Sequence, residues 1–263
     1  MILIKQYKYI KHLKTAQMSS QNLTNGGVGY LFLNYLLKIV YLIPILLLWR
    51  TLIHSGVDAG MSQSQMLTYT YLGAILSDVL VVRSPASNWY YDGLFVSLYQ
   101  RPVSILSHLV SQTVGGWIPQ LLLFTLPMII IAPIFGVSLS LYSLWFIPSL
   151  ILCVTLGFAV DILFVCLIIR MRNANWLVYV IRAAIVSLLS GSVIPFAILP
   201  WGIGLVFQYL PLGSLAGAPL SIYTNLSAPI PIIVAQFFWN ILLWPIAVGA
   251  FNKTQERMVS YGG

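Results

Sequence analysis

The sequence predicts an all-α polytopic membrane protein: six transmembrane helices, an N-terminal interfacial helix, and an extracellular re-entrant helical hairpin before the last helix. Three observations carry this expectation. Charged residues are only 7% of the chain and hydrophobic ones 59%, whereas a soluble domain is about 25% charged. The apolar residues fall in runs long enough to cross a hydrocarbon core of roughly 30 Å. Basic residues gather in every second connection between those runs, which is how orientation in a membrane is written. The net charge of +8 is thus topology and predicts a lipid bilayer as partner, not nucleic acid.

Residues 1–22 carry Lys5, Lys8, Lys11 and Lys14 with Ile4, Tyr7, Ile10 and Leu13 between them. That pattern fits an amphipathic helix lying on anionic headgroups; a disordered basic tail is the alternative. No long apolar leader with a small-residue cleavage site is visible, so the first span is expected to serve as the insertion signal. Residues 23–251 read as one transmembrane domain and 252–263 as a cytoplasmic tail.

The expected spans are 28–49, 66–82, 109–133, 141–169, 176–190 and 230–251. The connections at 50–65, 134–140 and 191–229 hold a single basic residue, Arg50. Those at 83–108 and 170–175 are basic, as are both ends of the chain, which puts both termini in the cytoplasm. The charge-free stretch 191–229 contains Pro195, Pro200, Pro211, Pro219 and Pro229 and opens on Gly191. It has room for two half-crossings, so it is expected as the outer re-entrant hairpin, with irregular backbone sheltered by protein.

The connection 83–108 holds one amphipathic segment, Tyr90 to Val103. Asp92 suits a helix start, Arg101 suits a helix end, and Pro102 stops it. Leu94, Leu98 and Arg101 share a side over about two turns. A short surface helix on the cytoplasmic side is well placed to be pushed by a soluble partner.

Besides Arg182 in the first third of the fifth span, three ionisable residues fall inside spans: Lys38, Asp78 and Asp161. A charge at the bilayer centre costs at least about 2.5 kcal/mol, so each needs a partner or water. Asp78, close to Arg83, is expected to be solvated at the inner surface. Lys38 and Asp161 have matching depths, about 15 and 13 Å above the inner ends of their spans by helix rise, and are expected to pair, within a subunit or across a dimer. The alternative is that Lys38 snorkels and Asp161 hydrogen-bonds a neighbour. Cys153 and Cys166 share one run, about 20 Å apart along a helix, and cannot bridge each other.

The motifs of chemistry are missing. No Gly-Lys pair of a phosphate-binding loop occurs, His12, His54 and His108 are isolated, and no cluster has metal-ligand spacing. No catalytic residue and no cofactor bound by this chain are expected.

At this point the chain resembles the permeases of type-2 ABC exporters. The resemblance rests on Asp92-Gly93-Leu94 … Leu98-Tyr99-Gln100-Arg101-Pro102-Val103-Ser104. It rests equally on Ser190-Gly191-Ser192-Val193-Ile194-Pro195, Leu199-Pro200-Trp201, Leu210-Pro211 and Pro219-Leu220-Ser221-Ile222-Tyr223, and on the layout of the chain. Asp92 stands where the family usually has a basic residue. The resemblance implies a half-transporter in a bacterial cytoplasmic (inner) membrane, exporting a drug, antibiotic, peptide or lipid-like substrate. Its partners would be two copies of an ABC ATP-binding subunit, carrying ATP and Mg, and a second permease, identical or related. Asp92, Gly93, Leu94, Leu98, Arg101 and Pro102 would form the ATPase-coupling helix. The rival expectation is an ion-coupled secondary transporter using Asp161 or Asp78.

Overall fold

The computed structural model describes residues 2–25, 28–56, 60–91, 94–99, 104–139, 143–171 and 175–261. The described residues are helices joined by turns, without strands. In order they are α1 (Ile2–Asn25), α2 (Val28–His54), α3 (Gln63–Ile75), α4 (Ser77–Leu80), α5 (Ala86–Tyr91), α6 (Leu94–Tyr99) and α7 (Ile105–Gln120). Then come α8 (Leu126–Ile131), α9 (Phe146–Arg170), α10 (Asn175–Leu189), α11 (Ile203–Phe207), α12 (Gly217–Tyr223) and α13 (Pro229–Tyr261).

Four helical stretches are long and apolar enough to cross a membrane: Leu31–His54, Ile105–Phe135, Phe146–Arg170 and Pro229–Thr254. The second of these joins α7 to α8 through a π turn, Leu121–Thr125, and ends in a 3-10 turn, Ala132–Phe135. Pro127 has no N–H for the carbonyl of Leu123, and the widened turn just before it accommodates that loss. These dimensions are those of a multi-pass membrane protein. Phe32, Leu36, Leu37 and Val40 of α2 stand exposed, as side chains facing lipid or a second chain would.

Two of the expected spans are short helices, and α3 stops well before the end of its apolar run. α3 has 13 residues and α10 has 15, about 20 and 22 Å by helix rise, so neither alone crosses the hydrocarbon. α3 starts cleanly because Ser62 and Gln65 form a capping box. It ends at Leu76, where the backbone leaves helical geometry, and the hydroxyl of Thr125 donates to the carbonyl of Ile75 at 2.9 Å. Nearly every residue of α3 is buried, Met66 to Gly73 without a gap, so it is a central helix wrapped by the others.

The core divides along α9. Towards its N-terminal half, Leu42, Leu46, Tyr71, Leu72, Phe124, Met128, Leu156 and Leu220 pack together. Towards its C-terminal half, Trp89, Leu98, Ile105, Leu109, Ile162, Val165 and Phe251 form a second cluster, joining α5, α6, α7 and α13. The three charge-poor connections meet at one end of the molecule. Arg50 donates to the carbonyl of Phe135, Ser64 and Ser138 share a hydrogen bond of 2.8 Å, and Gln65 Nε2 donates to the carbonyl of Thr224 at 2.9 Å.

The basic N-terminal segment is a helix laid across α7. Ser19 Oγ donates to the carbonyl of Gln112 at 2.8 Å, and Ser111 Oγ lies 3.0 Å from His12 Nδ1. Gly115 permits the crossing, because a Cβ there would run into the backbone of Ala16.

Candidate functional site

The site grows from the break in the second apolar run. Pro85 disfavours helix at Ser84, and the chain from Val81 to Pro85 runs between α4 and α5 without helical geometry. Asp78 lies in α4, just before this break, and Lys38 Nζ of α2 lies 2.7 Å from Asp78 Oδ2. The pair is half open, with side-chain exposures of 21% for Lys38 and 44% for Asp78. Lys38 Nζ also sits 5.4 Å from the centre of the Phe124 ring, whose face favours a cation.

A second pair lies deeper. Arg182 Nη2 of α10 is 2.6 Å from Asp161 Oδ1 of α9, and the Asp161 side chain is fully buried. Both partners grip the break itself. Arg182 Nη2 donates to the carbonyl of Val82 at 2.7 Å, and the backbone N–H of Ser84 donates to Asp161 Oδ2 at 3.2 Å. Gly157, one turn earlier on α9, lets Val82 lie close, since a Cβ at 157 would meet Val82 Cγ2 at 2.6 Å. This node fastens residues 82–84 to two helices at once.

The expected pairing of Lys38 with Asp161 is therefore corrected: each has a different partner within the chain. Asp78 is half exposed, as its expected solvation required, and also pairs with Lys38. Arg182, about two turns into its run, meets the depth of Asp161.

A cavity of about 890 Å³ opens beside these pairs. α2 contributes Lys38, Tyr41, Leu42 and Ile45; α3 contributes Thr70, Gly73 and Ala74; α10 contributes Ala183, Val186 and Ser187. Asp78, Arg83, Ser84 and Asn88 line it from the break and α5, and Gln112 and Trp117 from α7. Its wall is mixed: apolar side chains with a few polar groups, the usual make-up of a small-molecule site.

The other expected site residues divide. Leu98 is buried in the cluster with Trp89 and Phe251, while Leu94 is exposed at 45%. Asp92, Gly93, Arg101 and Pro102 lie outside the described residues. In the 191–229 stretch, Gly191 takes a positive φ of 72°, and its carbonyl accepts from the Tyr69 hydroxyl at 2.6 Å. Pro195 precedes one 3-10 turn and Pro200 opens the next. Pro211 falls in the turns after α11, and Pro219 is buried in α12. α12 lies against α9 and α3, entirely buried.

Sequence reasoning missed Arg182 as the partner of Asp161 and missed Gln236. Gln236 Oε1 accepts from Ser149 Oγ at 2.8 Å, and its Nε2 donates to the carbonyl of Ser214 at 2.8 Å, tying α13 to α9 and to the turns before α12. A fully buried amide inside an apolar run was the available signal.

Comparisons of the chain with protein-family models, with curated proteins and with solved structures find no match.

Proposed function

We propose that this chain is the membrane-spanning half of an ATP-driven ABC exporter, working with two copies of a separate ATP-binding subunit and a second permease. One observation carries the reading. The described parts of the connection 83–108 include two short helices, α5 packed on α9 and α6 on α13, and the segment 82–84 at its entry is pinned by the Asp161–Arg182 node. An element packed on the long helices and joined to them by a buried ion pair is suited to pass on a push from a soluble partner. The family motifs around Gly93 and Arg101 support the same role for this segment.

In this reading α2, α3 with α4, α7 with α8, α9, α10 with the turn that follows it, and α13 make six crossings, both termini are cytoplasmic, and 191–229 is the outer hairpin. The partner binds and hydrolyses ATP with Mg; this chain does no bond chemistry. Closure of the ATPase pair moves 83–108, the node carries that motion to α9 and α10, and the cavity beside α10 changes the side to which it opens. The test is a pair of variants, Arg101→Glu and Gly93→Pro. Both are expected to insert normally and to lose transport-coupled ATPase activity. Unchanged coupling in both would remove the role given to this segment.

Asp78, half open to the cavity beside Lys38, favours a second reading, ion-coupled secondary transport. It predicts transport that survives ATP depletion and ceases when the proton gradient collapses.

A further inference from the structure

The cavity has a charge order. Lys38 and Asp78 neutralise each other on its wall, and Arg182 and Asp161 do so behind it. Arg83 also lines the cavity, exposed, and among the described residues no acid lies within ion-pair distance of it. Among the described lining residues one cation is thus in excess, Arg83, where the connection 83–108 begins. Ser84, next to Arg83 in the chain, and Asn88 also line the cavity and supply polar groups. Elsewhere the wall interleaves Leu42, Ile45, Val186 and Val193 with Thr70, Thr113, Ser187 and Ser192.

We infer that the cavity takes an amphiphile with a single anionic head, a phosphate or carboxylate, held by Arg83, and an apolar body lying between α2 and α10. An arginine binds such groups through two parallel hydrogen bonds. The Lys38–Asp78 pair is neutral as a whole, which leaves Arg83 as the anchor for the charged head. The apolar side chains Leu42, Ile45, Val186 and Val193 suit an alkyl chain rather than a free ion. That this amphiphile is the exported substrate rests on the exporter reading; its binding does not.

The experiment uses the full chain in a maltoside detergent, with radiolabelled dodecyl phosphate and dodecyltrimethylammonium as probes. Dodecyl phosphate is expected to bind saturably, one per chain, about tenfold tighter than the cation. Arg83→Gln should erase that preference and Arg83→Lys should keep most of it. Asp78→Asn, which leaves Lys38 unpaired, should tighten the anion several-fold. Equal binding of both probes, or an anion preference untouched by Arg83→Gln, overturns the inference. So does competition by inorganic phosphate as strong as that by dodecyl phosphate, because the apolar body would then contribute nothing.

The occupant's source is read by repeating the binding in nanodiscs. Loss of dodecyl phosphate binding in phosphatidylglycerol discs but not in phosphatidylcholine discs assigns the site to an anionic bilayer lipid. Binding retained in both assigns it to a solute. None of these measurements needs an ATPase, so their failure leaves the exporter reading standing and its failure leaves them intact.

Discussion

Two ion pairs, built from the same chemistry, sit a few residues apart along the broken second run and do different work. Asp161–Arg182 is dry, and both of its members bond the backbone of 82–84. Lys38–Asp78 is half open and lines the cavity. Burial decides the difference. A buried charge cannot lose its partner without a large penalty, whereas an open pair is screened and can exchange its partner for water or ligand. The first pair is a fastening and the second is a surface.

The largest effect should come from breaking the fastening. Asp161→Ala strands Arg182 in the interior and should cost about 3–5 kcal/mol, seen as a fall in melting temperature and in yield after detergent extraction. The exchange Asp161→Arg with Arg182→Asp should recover part of that loss, which neither single change can do. A melting temperature unchanged in Asp161→Ala would show that the node holds nothing.

A steric change sharpens the point without touching charge. Gly157→Leu drives a side chain into Val82, which would sit 2.6 Å from the new Cβ. The cost should be about 1–3 kcal/mol, and 82–84 should be displaced from Asp161. Hydrogen exchange at the Ser84 amide is then expected to rise in this variant; no change there would separate Val82 packing from the node.

The smallest effect on stability should come from the open pair. Lys38→Ala and Asp78→Ala should each shift stability by about 0–1 kcal/mol after screening, with a coupling under about 1 kcal/mol in a double-mutant cycle. Their consequence belongs to the cavity instead, where anion binding moves in opposite directions for the two. Losses as large as that of Asp161→Ala would erase the distinction between the pairs.

The long helices were legible because α2, α7 with α8, α9 and α13 are continuous apolar runs, and hydropathy reads such runs directly. The break after Ile75 was not legible. Leu76 to Val82 is as apolar as a span, and only Pro85, Asp78 and the tertiary bond from Thr125 mark where the helix gives way. Depth along the chain found Lys38 and Asp161 but not their partners. Partner choice depends on how each helix is rotated about its axis, and that is set by packing around the buried α3. Arg182 was in view at a matching depth; facing α9 is a property of the fold. The prolines of 191–229 announced irregular backbone, but the burial of α12 against α9 followed from packing alone.

The central claim is that a separate ATPase drives this chain through 83–108, and one purification tests it most directly. The tagged chain is taken from its own host in mild detergent, and mass spectrometry identifies what stays bound. The account predicts a soluble ATP-binding subunit in stoichiometric amount, lost when Arg101→Glu is introduced. A chain that purifies alone, with transport that persists after ATP depletion, would contradict it.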